Sequence, residues 1–434
     1  MDRPHTLVQP LEARWQEVLD SALRSMRGSG LTTRDVARLA PKVEELSRAY
    51  NTAQAEGRRT KLPLDARIAF SFPRDVPKGA GAVRELVASG VLTIPPDRPL
   101  RVLDLGAGLG AMTWGVVRAL AAAGASGRVE ALLVDEDEEV LASAAAIGRA
   151  ARAAFGAEPI DLSLITQVES LGRATKSEGA KSDGRLGGLH DVVILGQVLS
   201  EIDPRSDPAT RLESQAALVR RALDTMVNAD GALVIVEPAL RERTRHLHAL
   251  RDRLLEGGAV SVFAPCLHSA TCPMLAIETE WCHEDLPVDL PPWTVPLARA
   301  AGLRWQGLTF SYLVLRKSSV EPRAGAGGGR VRFRAVSDLL RSKGKVELFI
   351  CREDGARQRI RRLDRDAAAE QGIPFEELRR GDIVTLSSAT EGPDEKGPAG
   401  GDASAAQGPA APIDERGRVQ AKAHVAIDVA AARK

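Results

Sequence analysis

The sequence of 434 residues has few aromatic residues, few cysteines and almost no net charge. Only 3% of the residues are aromatic, so a core must be built mainly from Leu, Val and Ala. No apolar run approaches the roughly 20 residues that cross a bilayer, and residues 1–10 lack the pattern of a secretory signal. Four cysteines make a poor disulfide framework for so long a chain. These absences predict a cytoplasmic protein without a membrane segment.

The net charge of +1 conceals a strongly basic stretch in the C-terminal third of the chain. Residues 323–365 hold 13 Lys and Arg against 5 Asp and Glu, a local charge of +8. Such segments bind nucleic acids because each neutralised phosphate releases counterions. A solvated basic surface would have the same composition. The candidate RNA-binding residues are Lys343, Lys345, Arg357, Arg359, Arg361 and Arg362.

Apolar periodicity divides the chain into a helical part and an α/β part. Apolar residues at helical spacing predict a helical N-terminal region over residues 1–90. Short apolar runs then alternate with helices, which predicts an α/β fold with a doubly wound parallel sheet over residues 91–318. The strands are predicted at 101–105, 131–134, 191–195, 232–236 and 310–315.

The C-terminal part has a different pattern. Strands predicted at 331–333, 346–351 and 382–386 indicate a small basic β domain over residues 330–386. Residues 387–434 begin with a long stretch rich in Gly, Pro, Ala and Asp, a composition that builds no core. We therefore expect a disordered tail there.

A glycine-rich turn follows the first predicted strand. Asp104 precedes Gly106, Gly108 and Gly110, and Asp135 ends the next strand, with Asp137 as a nearby second candidate. Glycines at this place let the backbone approach a ligand closely, and a dinucleotide would also fit such a turn. The acid before the glycines and their tight spacing resemble the first motif of class I S-adenosylmethionine-dependent methyltransferases. The resemblance implies that Asp135 accepts the ribose hydroxyls of that cofactor.

Polar residues also follow the strand predicted at 191–195. Gln197, Ser200 and Glu201 stand where methyltransferases place groups that face the substrate, and they are the substrate-side candidates. The polar cap of a helix N-terminus explains them equally well. A general base is not identified by the sequence, so the catalytic residues remain unknown.

The four cysteines are the strongest sign of a metal site. Cys266, Cys272 and Cys282 form a C-x5-C-x9-C run, and Cys351 lies further along the chain in the predicted β domain. Three thiolates in one loop with a distant fourth can bind zinc or an iron–sulfur cluster. His268 or His283 offers a replacement ligand for zinc. Four unrelated buried thiols are the structural alternative.

Several segments together resemble a known family, the small-ribosomal-subunit methyltransferase-like proteins, which include mitochondrial methyltransferase-like protein 17, yeast mitochondrial small-subunit protein 22 and bacterial relatives. The resemblance covers roughly residues 100–351. Its carriers are the glycine-rich turn, the run GALVIVEP at 231–238, the cysteine loop at 264–283, the strand FSYLVL at 310–315 and the KGK run at 343–345.

The resemblance implies a [4Fe–4S] cluster on Cys266, Cys272, Cys282 and Cys351, with zinc as the alternative. It also implies binding of S-adenosylmethionine, contact with the small ribosomal subunit and its rRNA, and a part in subunit assembly or translation. Methylation of rRNA is left open. Two other functions remain open as well: a small-molecule methyltransferase with structural zinc, and an assembly factor without catalysis.

Overall fold

Two β-sheets, each with its own core, form the frame of the protein. The computed structural model describes residues 6–26, 30–56, 63–157, 159–171, 188–203, 205–317, 329–369, 371–388 and 411–431. The larger sheet lies between residues 100 and 317, and the smaller sheet between residues 330 and 429. Within the described residues, no helix combines the length and the apolar character that crossing a membrane requires.

Helices form the described N-terminal region and flank the larger sheet. They are α1 (Arg14–Ser25), α2 (Val36–Glu56), α3 (Leu64–Ala66), α4 (Phe72–Ala88), α5 (Ala111–Ala122), α6 (Glu138–Phe155), α7 (Pro208–Met226), α8 (Arg241–Leu255) and α9 (Val295–Ala300). A π-helical turn, Arg67–Ser71, joins α3 to α4. The helical N-terminus predicted from periodicity is confirmed.

The helix α1 docks on the larger domain through its aromatic residue. Trp15 meets the ring of Trp114 of α5 edge-on, with 4.9 Å between ring centroids, and lies 5.8 Å from Phe72 of α4. Leu19 and Leu23 follow Trp15 at a spacing of four residues and are fully buried on the same helix face. The N-terminal helices are therefore part of the frame around the glycine-rich turn.

The larger sheet confirms the predicted doubly wound α/β fold. Its strands run in the order β3-β2-β1-β4-β5-β8-β6, with β7 paired to β8. Strands β1 to β5 are parallel, whereas β8 runs antiparallel to both β5 and β6. This order is that of class I methyltransferases. The strands are β1 (Leu100–Leu105), β2 (Gly127–Asp135), β3 (Ile160–Val168), β4 (His190–Gly196), β5 (Val227–Glu237), β6 (Val260–Ala264), β7 (Glu284–Leu286) and β8 (Leu308–Lys317).

The smaller sheet forms the β domain. Its strands follow the order β10-β11-β9-β14-β15-β13, and β12 pairs with β11. Phe333, Leu348, Ile360 and Phe375 are fully buried in its core. The strands are β9 (Arg330–Ala335), β10 (Leu340–Ser342), β11 (Lys345–Arg352), β12 (Arg357–Leu363), β13 (Gln371–Gly372), β14 (Ile383–Ser387) and β15 (His424–Val429).

The prediction of a disordered tail over residues 387–434 is wrong for its C-terminal part. Strand β15 pairs antiparallel with β14, and Val425 is fully buried in the core of the β domain. The alternating sequence HVAIDV at 424–429 supplies one apolar face, which the Gly- and Pro-rich composition before it obscures. Residues 389–410 and 432–434 lie outside the described part of the chain.

Buried charges join the two sheets. Arg84 and Glu85 on α4, Glu284 on β7 and Arg334 on β9 are each less than 5% exposed. Arg84 Nη2 lies 2.9 Å from Glu284 Oε2, and Arg334 Nη2 lies 2.5 Å from Glu85 Oε1. The hydroxyl of Tyr312 on β8 also donates to Glu85 Oε1, at 2.6 Å. Burial alone would raise the pKa of Glu85, but Arg334 and Arg84 outweigh it and hold that pKa below its ordinary value.

Removing one member of this network should destabilise the protein strongly. Arg334→Ala leaves Glu85 buried without its nearest cation, which typically costs about 3–5 kcal/mol. Arg332→Ala is the matched control, because Arg332 sits on the same strand in a partly exposed ion pair with Asp428 worth about 1 kcal/mol or less. The measurement is the free energy of unfolding in urea at pH 7. Equal losses in the two variants would contradict the role of the network.

Candidate functional site

The glycine-rich turn sits at the carboxyl end of β1, between the sheet and α5. The N–H groups of Gly106 and Ala107 donate to the Val134 carbonyl at 2.8 and 3.0 Å, which fixes the turn to the end of β2. Gly106, Gly108 and Gly110 have φ angles of 68°, 54° and 76°. Glycine adopts these angles with the least strain, so the conformation explains the spacing of the motif.

Two acids flank the turn. Asp135 Oδ2 accepts the N–H of Gly108 at 2.9 Å, and its Oδ1 accepts the N–H of Asp137 at 3.0 Å. Asp104 is buried; its Oδ2 accepts the hydroxyl of Thr113 at 2.8 Å, whereas its Oδ1 has no hydrogen-bond partner among the described residues. Burial, with a smaller repulsion from Asp135, raises the pKa of Asp104 to about 7. Both predicted acids therefore border the turn, as the predicted cofactor site requires.

Asp137 has a structural role that differs from that of Asp135. Its side chain accepts the N–H groups of Glu139 and Val140 at 3.0 and 3.2 Å, so it caps the N-terminus of α6. Of the two predicted candidates at the end of β2, Asp135 is the one bonded to the glycine-rich turn.

A cation that the sequence analysis missed lies over this turn. Arg67, in the π-helical turn before α4, places Nη2 only 2.8 Å from where a Cβ on Gly108 would be. Arg67 and Gly108 are 41 positions apart, and no local pattern in the sequence connects them. Only the packing of the N-terminal helices on the sheet brings the guanidinium to the glycine.

The substrate-side candidates follow β4, close to the end of β5. Gln197 has a φ of 59°, a conformation that is uncommon for a residue other than glycine, and its N–H donates to the Val236 carbonyl at 2.7 Å. Ser200 and Glu201 lie in a single 3-10 turn. Glu237 Oε1 accepts the N–H of Leu199 at 3.1 Å and thereby holds this turn in place.

A small cavity opens beside Ser200. Its volume is about 70 Å³, and Arg211, Glu237 and His246 are among its lining residues. Burial raises the pKa of Glu237 to about 7, and burial together with Arg211 lowers the pKa of His246 to about 4. Pockets for small molecules typically measure about 300–1000 Å³, so this cavity is too small for a nucleotide.

The four cysteines come together in space. Burial and then repulsion from Cys266 raise the pKa of Cys272 to about 11, and burial with Cys266 and Cys272 raises that of Cys351 to about 12. Burial and the other three cysteines likewise raise the pKa of Cys282. Such interactions require proximity, so the distant Cys351 has joined the loop. Within the described ranges, no group of three or more His, Cys, Asp or Glu side chains, these cysteines included, is placed so that it could hold a metal ion.

The loop follows β6, an edge strand that the sequence analysis did not predict. His268 brings the β domain and the loop into contact, because its Nε2 lies 3.4 Å from Cys351 Sγ. Arg334 of the buried network donates from Nε to the Pro265 carbonyl at 2.6 Å, next to Cys266. The cysteine loop is thus held by residues of the β domain.

One face of α8 supports the loop from the other side. Arg245 donates to the carbonyls of Met274, Leu275, Ile277 and Glu280, at 2.7 to 3.1 Å. His248 Nε2 accepts the N–H of Cys282, and the buried Arg251 donates to the carbonyls of His268 and Ala270. These three residues recur every three positions and share a helix face. That spacing of polar residues was the sequence signal for a loop scaffold, and it was missed.

The predicted RNA-binding residues divide between two faces of β12. Arg357, Arg359 and Arg361 alternate with the buried Ile360 and with Arg362, which is only 3% exposed. Arg362 donates to the carbonyls of Asp366, Gln420 and Ala421, so it stabilises the domain and its prediction as an RNA contact needs correction. Lys343 is exposed, whereas Lys345 pairs with Glu347 at 3.0 Å.

The outward arginines differ in accessibility. Arg359 is the most exposed of them, with 57% of its side chain accessible. Arg357 is paired with Glu280 of the cysteine loop and lies over the ring of Phe349, 4.7 Å from its centroid. Cys351 and Arg357 are direct partners across β11 and β12. The basic face is therefore continuous with the cysteine cluster.

Solved structures similar to this chain are methyltransferases at low identity. The plantazolicin methyltransferase BpumL with SAH is 12% identical, with 65% of this chain and 100% of that one covered and a TM-score of 0.32. A putative class I methyltransferase from Listeria monocytogenes is 13% identical (72% and 90% covered, TM-score 0.35). A putative RNA methyltransferase from Pyrococcus horikoshii is 12% identical (62% and 98% covered, TM-score 0.31). The fold is identified by the strand order of the larger sheet.

A comparison with curated proteins finds no match. A family model described as mitochondrial small ribosomal subunit Rsm22 matches residues 74–370. The match includes the glycine-rich turn, the cysteine loop and Cys351, which carried the resemblance in the sequence, and it also covers most of α4. The chain belongs to the mitochondrial small ribosomal subunit Rsm22 family.

Proposed function

We propose that this protein binds S-adenosylmethionine and acts on the small ribosomal subunit, in its assembly or in translation. The observation that carries the cofactor is the junction of the glycine-rich turn with Asp135. The family description supports the ribosomal partner. As part of the same proposal, the protein acts in the cytoplasm.

The residues at the turn match the polar groups of S-adenosylmethionine. Each oxygen of Asp135 already accepts one backbone N–H and keeps a lone pair for a ribose hydroxyl. The glycines leave the backbone bare where the methionine part would pass. Asp104 Oδ1, buried without a hydrogen-bond partner among the described residues, is a ready acceptor for the ammonium group. When bound, the cofactor supplies an electrophilic methyl group, and the residues named here hold it in place.

Calorimetry with S-adenosylmethionine and S-adenosylhomocysteine tests the cofactor. Gly108→Arg should abolish binding, because its side chain would fill the turn and collide with Arg67. Asp135→Asn should weaken binding about tenfold or more, since hydrogen bonds to a charged group contribute about 1.5–3 kcal/mol. Asp137→Asn is the matched control; it keeps the cap of α6 and should bind normally. Unchanged binding by both Gly108→Arg and Asp135→Asn would place the pocket elsewhere.

We also propose that Cys266, Cys272, Cys282 and Cys351 hold a [4Fe–4S] cluster, with zinc as the competing ligand. The support is the meeting of all four thiols between the cysteine loop and β11. A cluster with three ligands on the cysteine loop and one on the β domain would cross-link the two sheets. Binding would then contribute directly to folding.

Metal analysis of anaerobically purified protein tests the cluster. The protein should be brown and contain iron and acid-labile sulfide in about equal amounts. Each Cys→Ser variant should lose iron, and Cys351→Ser should also expose the β domain to proteolysis, because the link that the cluster would form between this domain and the loop is lost. Arg352→Ala, which alters the neighbouring position on β11, should keep its iron.

Two outcomes would contradict the cluster. A colourless protein with one zinc per chain would show that the metal was wrongly chosen. Four Ser variants that are as stable as the wild type and equally free of metal would show that the thiols are structural.

The outward face of β12 is the proposed RNA contact. Arg359 and Arg361 point away from the core, and Lys343 adds an exposed charge on the turn before β11. Lys and Arg on such a face bind phosphates without reading sequence. The direct pairing of Arg357 with Cys351 across the strands would couple this face to an intact cysteine cluster.

Methyl transfer to rRNA is a narrower proposal within this function. Transfer to a nucleophilic base atom needs mainly positioning, so the lack of an identified base does not oppose it. One observation favours an assembly factor without catalysis as the second candidate: the cavity beside Ser200, of about 70 Å³, would have to enlarge to take a nucleobase.

A further inference from the structure

Arg67 is a cation placed at a binding turn without an evident structural partner. Within the described residues its guanidinium forms no ion pair and no hydrogen bond. The acid nearest in sequence, Asp65, is already paired with Lys42. Arg67 is half-buried, yet its neighbours Ala66, Ile68 and Ala69 are fully buried. The backbone that carries the guanidinium is therefore held firmly.

The π-helical turn determines where this arginine points. An extra residue in one turn rotates the side chains that follow, and such turns occur mainly where a helix serves a function. Here the turn places Arg67 Nη2 over Gly108, whose missing side chain leaves room for it. A Cβ at Gly108 would lie 2.8 Å from this nitrogen. The glycine and the arginine thus fit each other.

Two acids, Asp104 and Asp135, lie beside the same turn. Asp104 and Asp135 suit the ammonium group and the ribose hydroxyls of the proposed cofactor, but both would repel its carboxylate. A carboxylate is bound best by a guanidinium, which can donate two parallel hydrogen bonds. Arg67 is the cation that the described structure brings against the glycine-rich turn.

We infer that Arg67 binds the α-carboxylate of the methionine part of S-adenosylmethionine and selects cofactors that carry this group. The inference rests on the proposed function and adds a specificity residue from outside the sheet. It also gives the N-terminal helices a role, because α3 and α4 would complete the cofactor site. The N-terminus of α5 is the competing anion site, because the partial positive charge of a helix N-terminus attracts anions.

The test compares two ligands on two proteins. S-adenosylmethionine and its decarboxylated analogue, which lacks only the carboxylate, are titrated calorimetrically into the wild type and Arg67→Gln. Arg67→Gln should weaken S-adenosylmethionine about tenfold to hundredfold, the equivalent of about 1.5–3 kcal/mol for a hydrogen-bonded charge. Its affinity for the decarboxylated analogue should equal that of the wild type. Arg67→Lys should recover part of the loss, because it restores the charge without the planar geometry.

Arg74→Gln is the matched control. Arg74 lies one to two turns further along, on α4, where it stacks on Phe70 and not on the glycine-rich turn. The Arg74→Gln variant should bind both ligands as the wild type does. Circular dichroism should show that all variants are folded.

The outcomes separate this inference from the proposed function. If the wild type binds S-adenosylmethionine and Arg67→Gln binds it equally well, Arg67 is not the carboxylate ligand and the N-terminus of α5 takes its place. An equal loss of affinity for both ligands would also overturn the inference, because it would reflect a distorted pocket. If the wild type binds neither ligand, the proposal that the protein binds S-adenosylmethionine is wrong, and so is the role inferred for Arg67.

Discussion

The structure depends on one buried network of charges between the two sheets. Arg84 and Glu85 of α4, Glu284 of β7 and Arg334 of β9 are withdrawn from water, and each is stable there only because an opposite charge lies beside it. Moving the β domain away from the larger sheet would leave carboxylates and guanidinium groups buried without partners. The buried ion pairs therefore oppose a separation of the two sheets.

The two proposed sites depend on this position in different ways. Arg334 also bonds to the carbonyl of Pro265, so the network sets the start of the cysteine loop and brings Cys351 to it. Through α4, the same network anchors the helix that follows the π-helical turn and carries Arg67 to Gly108. Both the cofactor turn and the cysteine loop are thus linked to the buried network, the first through α4 and the second through Arg334. Both sites lie within the residues that the family model matches.

Local patterns in the sequence were enough for five strands of the larger sheet and for the glycine-rich turn, because strand periodicity and positive φ angles are set by neighbouring residues. Strands β3, β6 and β7 were not predicted. That Cys351 joins the cysteine loop was expected from the ligand spacing and from the resemblance to the family, and a metal on these thiols stays a prediction. Arg67 could not be found, since its partner Gly108 is brought to it only by tertiary packing. The face of Arg362 was missed because a count of charges ignores strand alternation. Strand β15 was missed because its six residues follow a long segment of low complexity.

Sedimentation with ribosomal subunits tests the central claim most directly. The full-length protein, loaded with its metal and with S-adenosylmethionine, should travel with small subunits in a sucrose gradient and not with large ones. Arg359→Glu with Arg361→Glu should weaken this association. The slope of log affinity against log salt concentration should fall by about two, because about two phosphate contacts are lost. The same charge change at Arg14 and Arg24 on α1 should have no such effect. A loaded wild-type protein that stays at the top of the gradient with small subunits present would contradict the account.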